Sequence, residues 1–342
     1  MAASTLRIEP LRERYSLLTG GAPPTRFHKR EPHGRTFPAE ERRGRLPGKI
    51  EALEELFEIG RHPLELDSRQ AEATGHYLTE RLIFRTRAGE AVNAIMTRPD
   101  NDNTGPAILY LHAHGNRYEI GASELTGGRP ALQEPLGPVF AERGFATLAI
   151  DMPGFGARAT QSESALAKAL LWQGGSMAGQ MLGEQAAALG WLAGQPFVDA
   201  DRIGAFGISM GATFAYWLAG VEPRIAVIAH LCCYADLATL IETGAHDLHG
   251  IYLTVPGLLT VASNGEIAGL AAPRPQLICI GDRDPLTPPQ AVDRALAETK
   301  AAYARAGAAG ALTIHRKAET GHEETLEMRR AVLDFFTRTL GG

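Results

Sequence analysis

The sequence predicts an α/β protein with a mostly parallel central sheet that carries helices on both faces. From residue 107 onward, apolar runs of strand length alternate with longer segments of helical character, which is the order that parallel strands joined by crossover helices require. The run Ala107–Leu111 is apolar throughout, as expected of a strand buried on both faces. Polar residues directly follow several of these runs, and such sheets place their working residues at the carboxyl ends of the strands.

The N-terminal part of the chain is predicted to precede the main domain. Residues 1–48 hold six prolines among many arginines and show no period, so we expect an irregular arm. From Lys49 to Gly60, apolar residues recur at helical spacing. This predicts a short amphipathic helix that packs on the body of the chain or on a second subunit. The predicted domains are residues 1–75, an irregular arm with a short helix, and residues 76–342.

Eight strands are predicted in the main domain, and the first two form a hairpin. The strands are residues 77–84, 91–96, 107–111, 145–150, 201–206, 225–229, 276–280 and 312–315. The main helices are expected at about 134–143, 160–195 with a break at Gly174-Gly175, 212–219, 289–305 and 323–340. Between the sixth and seventh strands, residues 232–272 interrupt the alternation and exceed the usual length of a connection. We predict that this segment, called the insertion below, is lid-like.

Composition and charge limit the classes of partner. The 342-residue chain is 44% apolar and 21% charged with a net charge of −5, which is typical of a globular protein and indicates neither a nucleic-acid nor a membrane partner. Residues 1–49 hold eleven Lys/Arg against five Asp/Glu, a net of +6, so the remainder carries −11. We expect the basic arm to be solvated, and docking onto the acidic body is the alternative.

Cysteine usage and the N-terminus bear on location. Two of the three cysteines are adjacent in sequence, so they cannot form a disulfide framework, and this favours a reducing compartment. The N-terminus lacks the apolar segment of a signal peptide, and no 18-residue apolar run occurs elsewhere. A cytoplasmic location is therefore expected.

The segment Gly207-Ile208-Ser209-Met210-Gly211 has the form G-x-S-x-G. A run of strand length precedes it and a helical run follows it. This is the context of a nucleophile elbow, a sharp strand-to-helix turn that exposes a serine hydroxyl and requires small residues two places before and two after it. Without that context, a glycine-rich turn would be the simpler interpretation. We therefore predict that Ser209 is a nucleophile.

A nucleophilic serine needs a base, and a histidine base needs a carboxylate behind it. His322 follows the last predicted strand in a turn that opens a helix, whereas His315 lies within the strand. Asp284 stands three residues beyond the strand-ending glycine, whereas Asp282 abuts the strand and is expected to organise the turn or to pair with the arginine that follows it. We predict Ser209, Asp284 and His322 as the catalytic residues, because this chain order is the one expected after a serine elbow.

Six short motifs occur in a characteristic order along the chain. They are Leu111-His112-Ala113-His114-Gly115, Asp151-Met152-Pro153-Gly154-Phe155-Gly156, Asp201-Arg202-Ile203 before the elbow, Ala272-Pro273-Arg274-Pro275, Gly281-Asp282-Arg283-Asp284-Pro285 and Gly321-His322. Over about residues 76–342 the chain resembles the α/β-hydrolase superfamily, and within it the group of dienelactone hydrolases and acetyl xylan esterases. The resemblance implies a serine hydrolase that acts on a carboxylic ester and needs no cofactor. Ala113 departs from the usual glycine of the first motif.

Two backbone amides are predicted to bind the oxyanion of the tetrahedral intermediate. One is the Met210 amide, at the start of the helix after the elbow. The second comes from the loop after the third strand. If His112-Ala113 takes the place of the usual His-Gly pair, the donor is the His114 amide; if His114-Gly115 does so, the donor is the Asn116 amide. We favour His114.

The insertion leaves the carboxyl end of the sixth strand and is therefore predicted to lie over Ser209. It carries more apolar residues than an exposed loop needs, so we expect Tyr252 and Leu258 to contact the substrate. Packing of the insertion onto the body is the alternative. His246 and His249 have the spacing of two metal ligands on a helix, but no third ligand follows from local spacing, so we predict no metal site.

Three classes of function are compatible with these residues. The first is a serine esterase with a small-to-medium ester as its small-molecule substrate, and the amphipathic helix leaves a homodimer open. The second is a serine peptidase or amidase on the same fold, although a peptidase of this kind usually carries a larger gating domain. The third is a non-catalytic binding module, which would not require a serine, an aspartate and a histidine in this order.

Overall fold

Nine strands form one mixed sheet in the computed structural model, which describes residues 46–341. The strands are β1 Leu64–Thr74, β2 Tyr77–Thr86, β3 Ala91–Pro99, β4 Gly105–Leu111, β5 Ala146–Ile150, β6 Val198–Ile208, β7 Val227–Leu231, β8 Gln276–Gly281 and β9 Leu312–Lys317. Their order across the sheet is β1-β2-β3-β5-β4-β6-β7-β8-β9. The pairs β1–β2, β2–β3 and β3–β5 are antiparallel. The pairs β5–β4, β4–β6, β6–β7, β7–β8 and β8–β9 are parallel.

Helices cover both faces of this sheet. They are α1 Leu46–Leu56, α2 Glu124–Gly127, α3 Leu136–Ala141, α4 Glu163–Trp172, α5 Met177–Ala193, α6 Met210–Val221, α7 Leu237–Thr243, α8 Leu258–Val261, α9 Asn264–Gly269, α10 Pro289–Arg305 and α11 Leu326–Leu340. Short 3₁₀ turns occur at Gly121–Ser123, Gly156–Arg158, Ala245–Leu248, Ile251–Leu253 and Ala309–Ala311. This is the α/β arrangement that the sequence predicts. Among residues 46–341, every helix is too short or too polar to cross a membrane.

Strand β4 shows why its sequence is apolar throughout. Ala107, Leu109 and Leu111 pack into the core on one face of the sheet, and Ile108 and Tyr110 pack into the core on the other. A strand with helices on both sides has no solvent-facing residues, so its sequence does not alternate.

The sheet begins earlier than the predicted boundary at residue 76. Strand β1 pairs with β2 along its whole length, yet most of its residues are exposed on both faces. Apart from Leu64 and Leu66, which alternate with acidic residues, the strand is polar or alanine-containing, so its sequence gives only a weak strand signal. The predicted arm lies outside the described residues, except for Leu46–Gly48.

The predicted amphipathic helix exists as α1 and packs on the body of the chain. Leu53 and Phe57 are fully buried, and the Phe57 ring stacks on Trp217 of α6 with 5.2 Å between the centroids. Of the two positions that the sequence left open for this helix, the body of the chain is the one observed.

The predicted insertion, residues 232–272, contains helices α7, α8 and α9 and two of the 3₁₀ turns. None of these helices exceeds seven residues, which explains the absence of a clear period. The insertion follows β7 and precedes β8, so both of its ends connect to the parallel part of the sheet.

Candidate active site

Ser209 occupies a sharp turn between the last residue of β6 and the first residue of α6. Its backbone has φ 59° and ψ −122°, a conformation that L-residues rarely adopt. A Cβ at Gly207 would overlap the Gly211 carbonyl, and a Cβ at Gly211 would overlap the Leu111 carbonyl at the end of β4. The two glycines of the motif are therefore required by space.

The structure brings Ser209, His322 and Asp284 together. His322 Nε2 lies 2.8 Å from Ser209 Oγ, and His322 Nδ1 lies 2.6 Å from Asp284 Oδ2. Asp284 is 2% exposed and also accepts the Leu286 amide at 2.9 Å. Because the carboxylate can only accept, Nδ1 carries the proton, and Nε2 is left to accept the serine hydroxyl proton.

Asp282 and His315, the less favoured alternatives to Asp284 and His322, have other partners. Asp282 Oδ1 accepts from Arg316 Nε of β9 at 2.5 Å, and Arg283 pairs with Glu319 instead. The expectation that Asp282 pairs with the arginine that follows it is therefore wrong, because parallel pairing sets Arg316 opposite the end of β8. His315 lies in β9, 4.0 Å from Glu327, and has no bond to Ser209.

The loop after β4 lies beside the elbow, because Gly211 packs against the carbonyls of Leu111 and His112. The Asn116 amide donates to His114 Nδ1 at 3.0 Å and is therefore occupied. The His114 amide has no hydrogen-bond partner within residues 46–341. The Met210 amide begins α6 and so belongs to the turn whose N–H groups have no partner inside the helix.

His112 has a structural position in the same loop. Its Nδ1 donates to the Ala113 carbonyl at 3.1 Å, and its Nε2 accepts the Met152 amide at 3.2 Å. Burial lowers the pKa of His112 to about 3. The ring therefore stays neutral and ties the loop after β4 to the loop after β5.

The sequence missed Glu163, the first residue of α4. Its carboxylate accepts from the His114 ring at 3.0 Å, from the Tyr118 hydroxyl at 2.7 Å and from the Tyr252 amide at 3.0 Å. Burial raises its pKa, but the hydrogen bonds from His114, Tyr118 and Tyr252 outweigh burial, and the pKa is lowered overall. Glu163, His114, Tyr118 and Tyr252 are called the Glu163 cluster below.

The structure gives Tyr252 and Leu258 different surroundings. The Tyr252 ring is buried, stacks on His114 with 5.0 Å between the centroids, and meets Phe214 edge-on at 5.9 Å. Leu258 lines a cleft of about 540 Å³ whose walls come only from residues 237–260. His249 lines the same cleft. Its Nε2 lies 2.9 Å from the carbonyl oxygen of Leu286, which stands two residues beyond Asp284.

The adjacent cysteines are poor nucleophiles. Both are buried. Burial raises the pKa of the Cys233 thiol to about 12 and raises that of Cys232 well above its usual value. Within residues 46–341, no three His, Cys, Asp or Glu side chains gather in a way that would hold a metal ion.

The family model of the X-Pro dipeptidyl-peptidase (S15 family) matches residues 89–272, which is more than half of the chain. The chain belongs to this family. The matched segment of this S15 protein includes Ser209 and the insertion and ends before Asp284 and His322.

One sequence relative and two solved structures are also similar to this chain. YtaP of Bacillus subtilis (strain 168), a protein that carries the name of a hydrolase, is 35% identical over 299 residues, which cover 85% of this chain and all of YtaP. Acetyl xylan esterase 1 from Thermoanaerobacterium sp. JW/SL YS485 is 18% identical with a TM-score of 0.61, covering 85% of this chain and 93% of that one. Glucuronoyl esterase from Solibacter usitatus is 13% identical with a TM-score of 0.60, covering 85% and 92%. The predicted α/β-hydrolase fold is thereby confirmed, and the protein is a hydrolase.

Proposed function

We propose that this S15 protein cleaves a carboxylic ester through an acyl-enzyme, with Ser209 as the nucleophile, His322 as the base and Asp284 as the carboxylate behind it. The observation that supports this most is the continuous chain of hydrogen bonds from Ser209 Oγ through His322 to Asp284, 2.8 and 2.6 Å long. The serine reacts only when a base removes its proton. These hydrogen bonds supply His322 as that base, with Nε2 free to accept the proton.

In the proposed reaction, Ser209 Oγ attacks the ester carbonyl carbon while His322 Nε2 takes the hydroxyl proton. The carbonyl oxygen becomes an oxyanion and accepts from the Met210 and His114 amides. The C–O bond to the alcohol then breaks, and the alcohol leaves with the proton from Nε2. A water molecule attacks the acyl-enzyme with the same proton transfers, releasing the carboxylic acid and restoring Ser209. Every step uses groups of this chain, the ester and water, so we propose no cofactor.

The names of the fold relatives favour an ester over an amide, since both are esterases. The insertion supports a small-to-medium apolar substrate, because the cleft lined by Leu258 is also lined by Leu237, Leu253 and Val255. We propose that Leu258 contacts the acyl or alcohol group there. In place of the predicted substrate contact of Tyr252, we propose that this residue acts through His114, because its ring is buried and packs on the His114 ring.

A second candidate is a serine peptidase or amidase. The observation that favours it is the family model, which is named for a peptidase. The same Ser209, His322 and Asp284 would serve, with His322 donating its proton to a leaving amine.

The three cysteines are unpaired and buried, which supports the proposal of a reducing compartment, the cytoplasm.

One experiment tests the nucleophile and a second separates the two candidates. A fluorophosphonate should form one adduct with the native protein and none with Ser209→Ala, as measured by intact mass spectrometry. An adduct on Ser209→Ala would contradict the assignment of the nucleophile. When p-nitrophenyl esters and p-nitroanilides of the same acyl group are compared, the esters should be cleaved faster. Faster cleavage of the anilides, including dipeptidyl anilides ending in proline, would favour the peptidase.

A further inference from the structure

Glu163 joins three segments that are far apart in sequence. Its Oε2 accepts from His114 Nε2 at 3.0 Å and from the Tyr118 hydroxyl at 2.7 Å, and its Oε1 accepts from the Tyr252 amide at 3.0 Å. Glu163 is 9% exposed and begins α4, where the helix dipole favours a negative charge. One buried carboxylate therefore connects the loop after β4, helix α4 and the insertion.

The direction of these bonds is fixed by their neighbours. The Asn116 amide donates to His114 Nδ1, so the proton of the His114 ring is on Nε2 and is donated to Glu163. The Tyr252 amide can only donate. Both oxygens of Glu163 must therefore accept at once. A glutamine offers one accepting oxygen and one NH₂ group, so it cannot replace both bonds.

Aromatic rings hold the His114 ring on its other sides. Tyr252 stacks on it at 5.0 Å and 29°, Phe155 meets it edge-on at 5.2 Å, and Tyr118 meets it edge-on at 5.1 Å. The ring has one hydrogen bond at each nitrogen and aromatic neighbours around it. The orientation of the ring and the backbone of the same residue are therefore fixed together.

We propose that Glu163 is a positioning residue that holds the second oxyanion donor in place through the His114 ring. This inference rests on the proposed function, in which the His114 amide binds the oxyanion. An oxyanion donor contributes only when its direction is set before the reaction, and a loop with Gly115 and Asn116 both at positive φ needs a side-chain anchor. The Tyr252 bond means that the insertion supports the same anchor.

The test uses Glu163→Gln, which keeps the size of the side chain and removes one acceptor. We expect kcat for p-nitrophenyl acetate to fall by about 10- to 100-fold with KM within twofold, because a misaligned oxyanion donor weakens only the transition state. The rate is divided by the number of sites that a fluorophosphonate modifies at completion, so unfolded protein does not count. Glu163→Asp keeps both acceptors on a shorter stem and should give an intermediate kcat.

Tyr118→Phe is the matched control. It removes one hydrogen bond to Glu163 and leaves the His114 and Tyr252 bonds intact, so its kcat should stay within threefold of the native value. A spectroscopic readout comes from ¹⁵N NMR of the histidine rings. His114 should show the Nε2–H tautomer in the native protein and in Tyr118→Phe, and a changed tautomer population in Glu163→Gln.

The outcomes separate this inference from the proposed function. A native kcat per modified site in Glu163→Gln with an unchanged His114 tautomer overturns the positioning role. If Glu163→Gln does not fold, Glu163→Asp decides: a lower kcat at constant KM supports the role, and a native kcat overturns it. If the native protein cleaves no ester or takes no adduct at Ser209, the proposed function fails first. The positioning role then fails with it, even if the NMR signature of the His114–Glu163 bond remains.

Discussion

The two halves of the candidate active site are held in place in different ways. Ser209, Asp284 and His322 lie at the ends of β6, β8 and β9, so the sheet itself sets their spacing. The His114 half depends on a buried carboxylate and aromatic rings from α4 and the insertion. Substitutions in the Ser209, Asp284 and His322 half should therefore abolish the reaction, while substitutions in the His114 half should only lower its rate.

The largest expected effect is that of Ser209→Ala. We expect kcat to fall on the order of 10⁶-fold, because no other group replaces the nucleophile. The unfolding midpoint in urea should stay close to native, since the backbone of the elbow is unchanged. A residual rate within about a thousandfold of native, at full folding, would mean that the Ser209 half does not carry the reaction.

Two neighbouring aspartates allow a matched test within one turn. Asp284→Asn should lower kcat on the order of 10⁴-fold, because the amide supports the wrong tautomer of His322. Asp282→Asn loses only a partly exposed pair with Arg316, so its kcat should remain near native. Comparison of kcat for the two variants, measured under the same conditions, would show which aspartate supports His322. A severe loss in Asp282→Asn alone would reverse the assignment.

Buried histidines predict a loss of stability in acid. Burial lowers the pKa of His112 and of His230 to about 3, from an ordinary value of 6.5. Since each binds a proton more readily when unfolded, their stabilising contribution is complete above pH 6.5 and is lost as the pH falls toward 3. At pH 5 each should lower the free energy of unfolding by about 2 kcal/mol.

Urea unfolding between pH 7 and pH 5 measures this slope. His230→Gln should reduce the slope, whatever its effect at pH 7, and the exposed His76→Gln serves as the control. An unchanged slope in His230→Gln would contradict the prediction. The same slope bears on the His114 half, because His112 joins its loop to the loop after β5.

The smallest effect concerns the cleft in the insertion. Leu258→Ala should move the preferred acyl chain of p-nitrophenyl esters to a longer length, because removing the side chain widens the cleft. The change in kcat/KM should be a few-fold per methylene, equivalent to about 1 kcal/mol. Leu66→Ala, on the exposed edge strand, is the control. The same optimum in both variants would show that the cleft takes no part of the substrate.

The sequence predicts the Ser209, Asp284 and His322 half of the site but not Glu163, and the difference has a physical reason. Ser209 directly follows β6, and Asp284 and His322 lie in the turns three and five residues after β8 and β9, so short local motifs mark all three. Glu163 begins a helix, and its partners lie 49, 45 and 89 residues away in sequence. Nothing local distinguishes it from any surface glutamate at the start of a helix. What distinguishes Glu163 is its burial among distant partners, which only the tertiary fold determines.

The strands of the sheet differ in the same way. The buried parallel strands were predicted because burial on both faces makes their sequences apolar, whereas β1 was missed because an exposed edge leaves its sequence free to be polar. The proposal of the His114 amide over the Asn116 amide is supported by a hydrogen bond that the sequence does not reveal, in which the Asn116 amide donates to the His114 ring.

The polar edge strand β1 has a consequence for how the chain can be shortened. It forms one edge of the sheet and carries exposed charged side chains, and charges along an edge discourage pairing with another chain. A protein trimmed to begin at residue 76 would lose this cover and would present β2, with the apolar Leu82, Ile83 and Phe84 in its centre, as the new edge. Self-association through that uncovered backbone would then compete with folding, so a soluble shortened protein must keep the residues from Leu64 onward.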